Sequence, residues 1–130
     1  MNPLRPVEVL IAKGAARAEV FAALDRCFAT LLPEDLPAFY GLRMAAAQHY
    51  GDPDPPRADL EAYLALSPSL LQRGHKLPSV CATWPELSAE YLPSLIAELS
   101  AVPGDMWRAL EDGARRVLAR AEAEPDDLES

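Results

Sequence analysis

The sequence predicts an all-α fold, and three observations support this prediction. Half of the 130 residues are apolar, and alanine and leucine dominate among them, both of which favour helices. β-Branched residues, which favour strands, are scarce. Apolar residues also recur at steps of three and four along most segments, as in amphipathic helices. We therefore expect a compact bundle of five or six helices that ends in a long helical hairpin.

The length is typical of one domain. We expect a single all-α domain over residues 1–124. Pro125 is expected to end the last helix, and the acidic residues that follow predict a disordered tail over 125–130.

Three helices are expected in the first half of the chain. Residues 7–13 suit either a helix or a strand, and a helix is favoured because no convincing second strand could pair with them. Residues 15–32 carry an apolar stripe and form the clearest helix of this half. A third helix follows Pro33 and ends near Tyr50, with Gly51 as its cap.

The middle of the chain is rich in proline. Residues 51–56 are expected to form a rigid linker, followed by a short helix that ends before Pro68. Between Ser67 and Ser79 the sequence predicts one helical turn at Leu70 and Leu71 and then a loop.

The C-terminal hairpin is expected to begin at Thr83, because Thr83 and Glu86 have the spacing of a capping box. A stripe of apolar residues follows, with Pro93 expected to kink the helix. Residues 102–105 then form a turn into the second helix. Trp107 is expected to fill the core beside this turn, so Trp107→Ala should nearly unfold the protein.

The net charge of −8 is unevenly distributed. Residues 1–50 carry five basic and five acidic side chains, whereas residues 51–130 carry seven and fifteen, a difference of −8. Phosphate backbones and anionic membranes repel such a surface, which disfavours direct binding to nucleic acid or membrane. No apolar run is long enough to span a bilayer and no signal peptide is recognisable, so we expect a cytoplasmic protein.

No cofactor or metal site is expected. Cys27, His49, His75 and Cys81 are too scattered for a zinc site. The two cysteines fall within apolar helical patterns and are expected to be buried free thiols, although a bridge between them stays open if they come close enough.

Two groups of residues are candidates for a functional site. Arg73, His75 and Lys76 form a basic cluster that could bind an anion or an acidic partner, or that could merely offset the negative ends of neighbouring helices. The alternative is catalytic: all-α nucleotide pyrophosphohydrolases hold Mg²⁺ with carboxylates one helical turn apart. The residues that could serve in this way are Glu86, Glu90, Glu98 and Asp105. Their spacing is not the one that family uses, and a solvated acidic face explains the same residues.

By elimination, the leading hypothesis is a small acidic regulator that binds a protein partner. The partner could be basic, the chain could mimic nucleic acid, and a second copy of the chain is another candidate. The alternative hypothesis is the metal-dependent pyrophosphohydrolase.

Overall fold

In the computed structural model the backbone is described for residues 2–129 and side chains for residues 2–123. Over these residues the fold is all-helical, which confirms the predicted class. Seven α-helices are present instead of five or six, and short 3₁₀ turns at Pro33–Asp35 and Pro85–Leu87 precede two of them. The helices are α1 (Arg5–Ala12), α2 (Arg17–Phe28), α3 (Leu36–His49), α4 (Arg57–Ala65), α5 (Leu70–Thr83), α6 (Ser88–Ser100) and α7 (Asp105–Glu129).

The chain forms two compact units, Met1–Pro68 and Ser69–Ser130. In the first unit, α2 packs against α1 and α3, and α3 packs against α4. In the second unit, α5, α6 and α7 all pack against one another. The predicted single domain over 1–124 stays a prediction.

Two glycines end helices in the first unit in the same way. Gly14 and Gly51 have φ of +78° and +67°, a conformation that glycine adopts with little strain. At each turn the glycine N–H and the next N–H bond back to carbonyls of the preceding helix, at 3.0 to 3.2 Å. This Schellman arrangement satisfies carbonyls that the end of a helix would otherwise leave unpaired. It confirms Gly51 as a cap.

These two turns are joined to each other by side chains. The Tyr50 hydroxyl donates to the Ala15 carbonyl at 2.6 Å. Arg17 donates twice to Asp52, at 2.7 Å each. These hydrogen bonds lower the pKa of the Asp52 carboxyl. Asp52, in the predicted linker, therefore holds the end of α3 to the start of α2.

The core of the first unit lies between α1, α2 and α3. Its central side chains have no exposed surface: Val7, Val20, Leu24 and Phe39. They come from three helices with apolar residues at steps of three and four, so the predicted stripes face this core.

Helix α5 replaces the loop that the sequence predicted, and that prediction is wrong. Gly74 and Pro78 both disfavour helix interiors, yet α5 runs unbroken through them. Burial of one face outweighs their local preference, because Gly74, Leu77, Val80 and Cys81 are all buried. Gly74 also lies close to the hairpin, since a Cβ there would come within 3.3 Å of a Leu110 methyl group.

A capping box starts α5, four residues before Arg73. The Gln72 N–H donates to the Ser69 hydroxyl at 3.1 Å, and the Ser69 N–H donates to the Gln72 side chain at 2.9 Å. The capping box expected at Thr83 is wrong: Thr83 is the last residue of α5, and its hydroxyl donates back to the Ser79 carbonyl. Helix α6 begins five residues later, after the turn Pro85–Leu87.

The buried tryptophan of the second unit is Trp84, with 2% of its surface exposed. Trp107, which the sequence placed in the core, is only partly buried. Trp84 lies where α5 ends and the Pro85–Leu87 turn begins, so its ring lies at the junction between α5 and α6. Trp107 is instead in the first turn of α7, at the edge of the unit.

Arg108 closes the hairpin between α6 and α7. Its guanidinium donates to the carbonyls of Leu99, Ser100 and Val102 and to the Glu111 carboxylate. These carbonyls belong to the last turn of α6 and the residues after it, where a helix leaves acceptors without its usual donors. The Leu99 carbonyl also accepts from the Val102 N–H, at 3.2 Å. The first turn of α7 thus caps the end of α6.

Helix α7 is assigned through Glu129, beyond Pro125, where the sequence predicted its end. The predicted acidic tail at 125–130 lies outside the residues with described side chains and stays a prediction. No helix among the described residues is long and apolar enough to cross a membrane.

Candidate functional site

A groove in the first unit is the strongest candidate site. It has a volume of about 490 Å³ and lies among α2, α3 and α4. We call it the aromatic groove. Its lining residues are Asp25, Phe28, Phe39, Tyr40, Arg43, Ala58, Asp59 and Ala62.

Three aromatic rings in contact form one side of the groove. Phe39 is fully buried, and its ring centroid lies 5.2 Å from those of both Phe28 and Tyr40. Phe28, the last residue of α2, is 49% exposed. A phenylalanine that is half in water and braced by a buried ring can bind an apolar group without first being ordered.

Three charged side chains line the same groove. Arg43 on α3 lies between Asp25 of α2 and Asp59 of α4, with N–O distances of 3.6 and 3.4 Å. Both distances exceed the 2.7 Å of the Arg17–Asp52 pair. The two carboxylates therefore keep acceptor capacity that Arg43 does not use. One guanidinium against two carboxylates leaves the groove with a formal charge of −1.

Asp59 is the more enclosed of the two carboxylates. Its side chain is 20% exposed and that of Asp25 is 69% exposed. Burial raises the pKa of Asp59, although the charge of Arg43 opposes the shift. A cation placed beside Asp59 would stabilise its ionised form.

The basic cluster predicted from the sequence is not a loop. Arg73, His75 and Lys76 lie on α5, where successive residues point in directions about 100° apart. Arg73 donates to both oxygens of Glu98, at 2.7 and 3.2 Å. His75 is exposed, and burial lowers the pKa of the partly buried Lys76. Their role as a partner-binding site stays a prediction.

The carboxylates predicted for catalysis lie on three elements. Glu86 is on the 3₁₀ turn, Glu90 and Glu98 are on α6, and Asp105 starts α7; all four are exposed. Hydrogen bonds from Arg73 lower the pKa of Glu98, so this carboxylate already has a cationic partner. Within the described residues, no group of three His, Cys, Asp or Glu side chains could hold a metal ion. The pyrophosphohydrolase hypothesis stays an untested prediction.

Both cysteines are free, as predicted, but they differ in burial. Cys81 is fully buried, and burial raises the pKa of its thiol to about 11. It therefore stays protonated at neutral pH. Cys27 is only partly buried, contrary to the prediction, and its thiol lies 3.5 Å from the Pro3 carbonyl.

Sequence reasoning placed the groove residues on helices but did not identify them as a site. A usable signal was present, because Asp25 and Phe28 are three residues apart, as are Asp59 and Ala62, and such pairs lie on one helix face. What the sequence lacks is the packing that brings these faces together.

Comparisons with known proteins found no similarity: no family model, no curated protein and no solved structure matches this chain.

Proposed function

We propose that this protein is a protein-binding module and that the aromatic groove receives its partner. The occupant is a segment of another protein that carries an apolar side chain next to a lysine or arginine. The single observation that supports this most is Phe28, which is 49% exposed at the groove and packed against a buried ring beside two carboxylates.

The chemistry of the groove selects this occupant. An apolar side chain placed on Phe28 would remove both surfaces from water, which stabilises the complex by roughly 25 cal/mol per Å² of apolar area. A basic side chain would meet the spare acceptors of Asp25 and Asp59. The net charge of −8 over the whole chain adds a long-range attraction for basic partners.

A peptide-display experiment tests the proposal directly. Random peptides would be selected on the intact protein, and the affinities of the enriched peptides measured by calorimetry for wild type and Phe28→Ala. We expect enriched peptides to combine an aromatic or aliphatic residue with a neighbouring basic one. Loss of an interface aromatic commonly lowers affinity by about tenfold or more, and we expect this for Phe28→Ala.

Leu71→Ala is the matched control, because Leu71 is a large apolar residue that is 39% exposed on α5, in the other unit. The affinity of the Leu71→Ala variant for the enriched peptides should stay within about twofold of wild type. Peptides that bind Phe28→Ala as tightly as wild type, or that lack basic residues, would contradict the proposal.

Binding is expected to weaken in acid. The pKa of Asp59 is raised above its ordinary value of 3.8, so on acidification this carboxyl takes up its proton at a higher pH than an ordinary aspartate does. The partner's cation binds the ionised form, so its contribution is fully present above the raised pKa and is lost as the pH falls through it. Affinity measured against pH for wild type and Asp59→Asn checks this result. Asp59→Asn should bind more weakly at neutral pH and lack this step, and an unchanged profile would exclude Asp59 as the contact.

A further inference from the structure

The second unit contains a separate cavity of about 350 Å³ between α5 and α7. We call it the arginine cavity. Pro78 and Ser79 line it from α5, and the other lining residues are Gly113, Arg116, Val117 and Arg120. These four follow one another at steps of three, one and three, so they share one face of α7. None of these six residues belongs to the aromatic groove.

Residues that disfavour helices line this cavity on both sides, Pro78 on α5 and Gly113 on α7. Relative to alanine, a glycine inside a helix costs about 1 kcal/mol and a proline about 3 kcal/mol. Packing explains Gly74, which lies against Leu110, but it does not explain Gly113. A Cβ built at Gly113 meets no atom within 4 Å. What Gly113 preserves is open space in the wall of the cavity, which a larger side chain would occupy.

Two cations line the cavity from α7. Arg116 and Arg120 are exposed, and neither forms an ion pair with any described side chain. Other arginines of the same unit do form such pairs: Arg115 binds Glu111, and Arg73 binds Glu98. Two guanidinium groups one helical turn apart can both donate to a single tetrahedral anion. In a unit that is otherwise acidic, this pair is a local site for negative charge.

We propose that the arginine cavity binds a small phosphate monoester. Arg116 and Arg120 donate to its phosphate oxygens, and its organic part lies against Pro78 and Val117 in the space beside Gly113. A monoester suits the site better than a diester, because it carries close to two charges at neutral pH and three terminal oxygens. The volume is at the lower end of the range of about 300 to 1,000 Å³ for small-molecule sites.

An NMR titration of the full chain, labelled with ¹⁵N, tests this site. The probes are methyl phosphate, dimethyl phosphate and acetate at fixed ionic strength, because screening alone would otherwise shift signals. We expect saturable changes at the amides of residues 79 and 113–120, with methyl phosphate binding more tightly than the other two. Absence of saturation, or equal response to all three probes, would overturn the proposal.

Variants then test the two features on which the site depends. Arg116→Ala and Arg120→Ala should each weaken methyl phosphate binding about tenfold, as expected for loss of a charge-assisted hydrogen bond. Arg26→Ala makes the same charge change at an exposed residue of the other unit and should leave binding unchanged. Gly113→Leu should fill the cavity and abolish binding, with helical content retained in circular dichroism. If Gly113→Leu is folded and binds like wild type, the cavity is not the site.

Discussion

Trp84→Ala is expected to remove about 3 to 5 kcal/mol from the free energy of unfolding, the usual range for truncating a buried tryptophan. Trp84 is 2% exposed where α5 meets the turn before α6, so its loss leaves a cavity at that junction. The free energy of unfolding of a typical domain is only about 5 to 15 kcal/mol in total. The variant should therefore be close to unfolding.

Trp107→Ala is the matched comparison, because it removes the same side chain from a partly buried position. We expect a loss of about 1 to 2 kcal/mol, in proportion to the smaller apolar area that Trp107 buries. The chain has two tryptophans, and both are in the second unit. Each variant thus keeps one fluorophore to report urea unfolding of that unit. Equal losses, or a larger loss for Trp107→Ala, would contradict the structure.

Arg108→Met is expected to have the next largest effect, a loss of about 2 to 3 kcal/mol. Methionine keeps most of the aliphatic stem but cannot donate to the carbonyls of Leu99, Ser100 and Val102. A buried acceptor left unpaired costs about 1 to 3 kcal/mol. The Leu99 carbonyl would keep the Val102 N–H, and water would replace part of the loss at the others. Urea unfolding followed by tryptophan fluorescence measures the change.

Arg116→Met is the control, since it removes the same charge from an exposed position on the same helix. We expect a change within about 0.5 kcal/mol, as for surface substitutions away from buried contacts. If the two variants lose the same stability, then net charge is what matters, and the hydrogen bonds of Arg108 to the end of α6 do not stabilise the hairpin.

The aromatic groove shows which features of a site can be predicted from sequence. The sequence placed Phe28 within the apolar stripe of residues 15–32 and Phe39 within the helix that follows Pro33, and both residues are helical. It did not predict that Phe39 would be fully buried while Phe28 stays half exposed. Nor did it predict that Arg43 would lie between carboxylates 18 residues before it and 16 residues after it. These contacts depend on how three helices cross, which no local pattern encodes.

Helix α5 shows the same limit in secondary structure. Local rules disfavoured a helix over residues 70–83 because of Gly74 and Pro78. The opposite signals were in the sequence, namely the Ser69–Gln72 capping box and the three- and four-residue steps from Leu77 to Val80 and Cys81. The sum of the favourable and unfavourable free energies decides whether residues 70–83 form a helix. The largest favourable contribution is burial against α6 and α7, which the sequence does not display.

By itself, the sequence determined the helical class, the glycine cap at Gly51 and the apolar stripe of the hairpin. Each of these follows from preferences or periodicity within a few residues. The tertiary structure alone decided that Trp84 and not Trp107 is the buried tryptophan, and that Arg73 neutralises Glu98. The reason is that burial and charge pairing depend on distances between segments remote in the chain, and packing sets those distances.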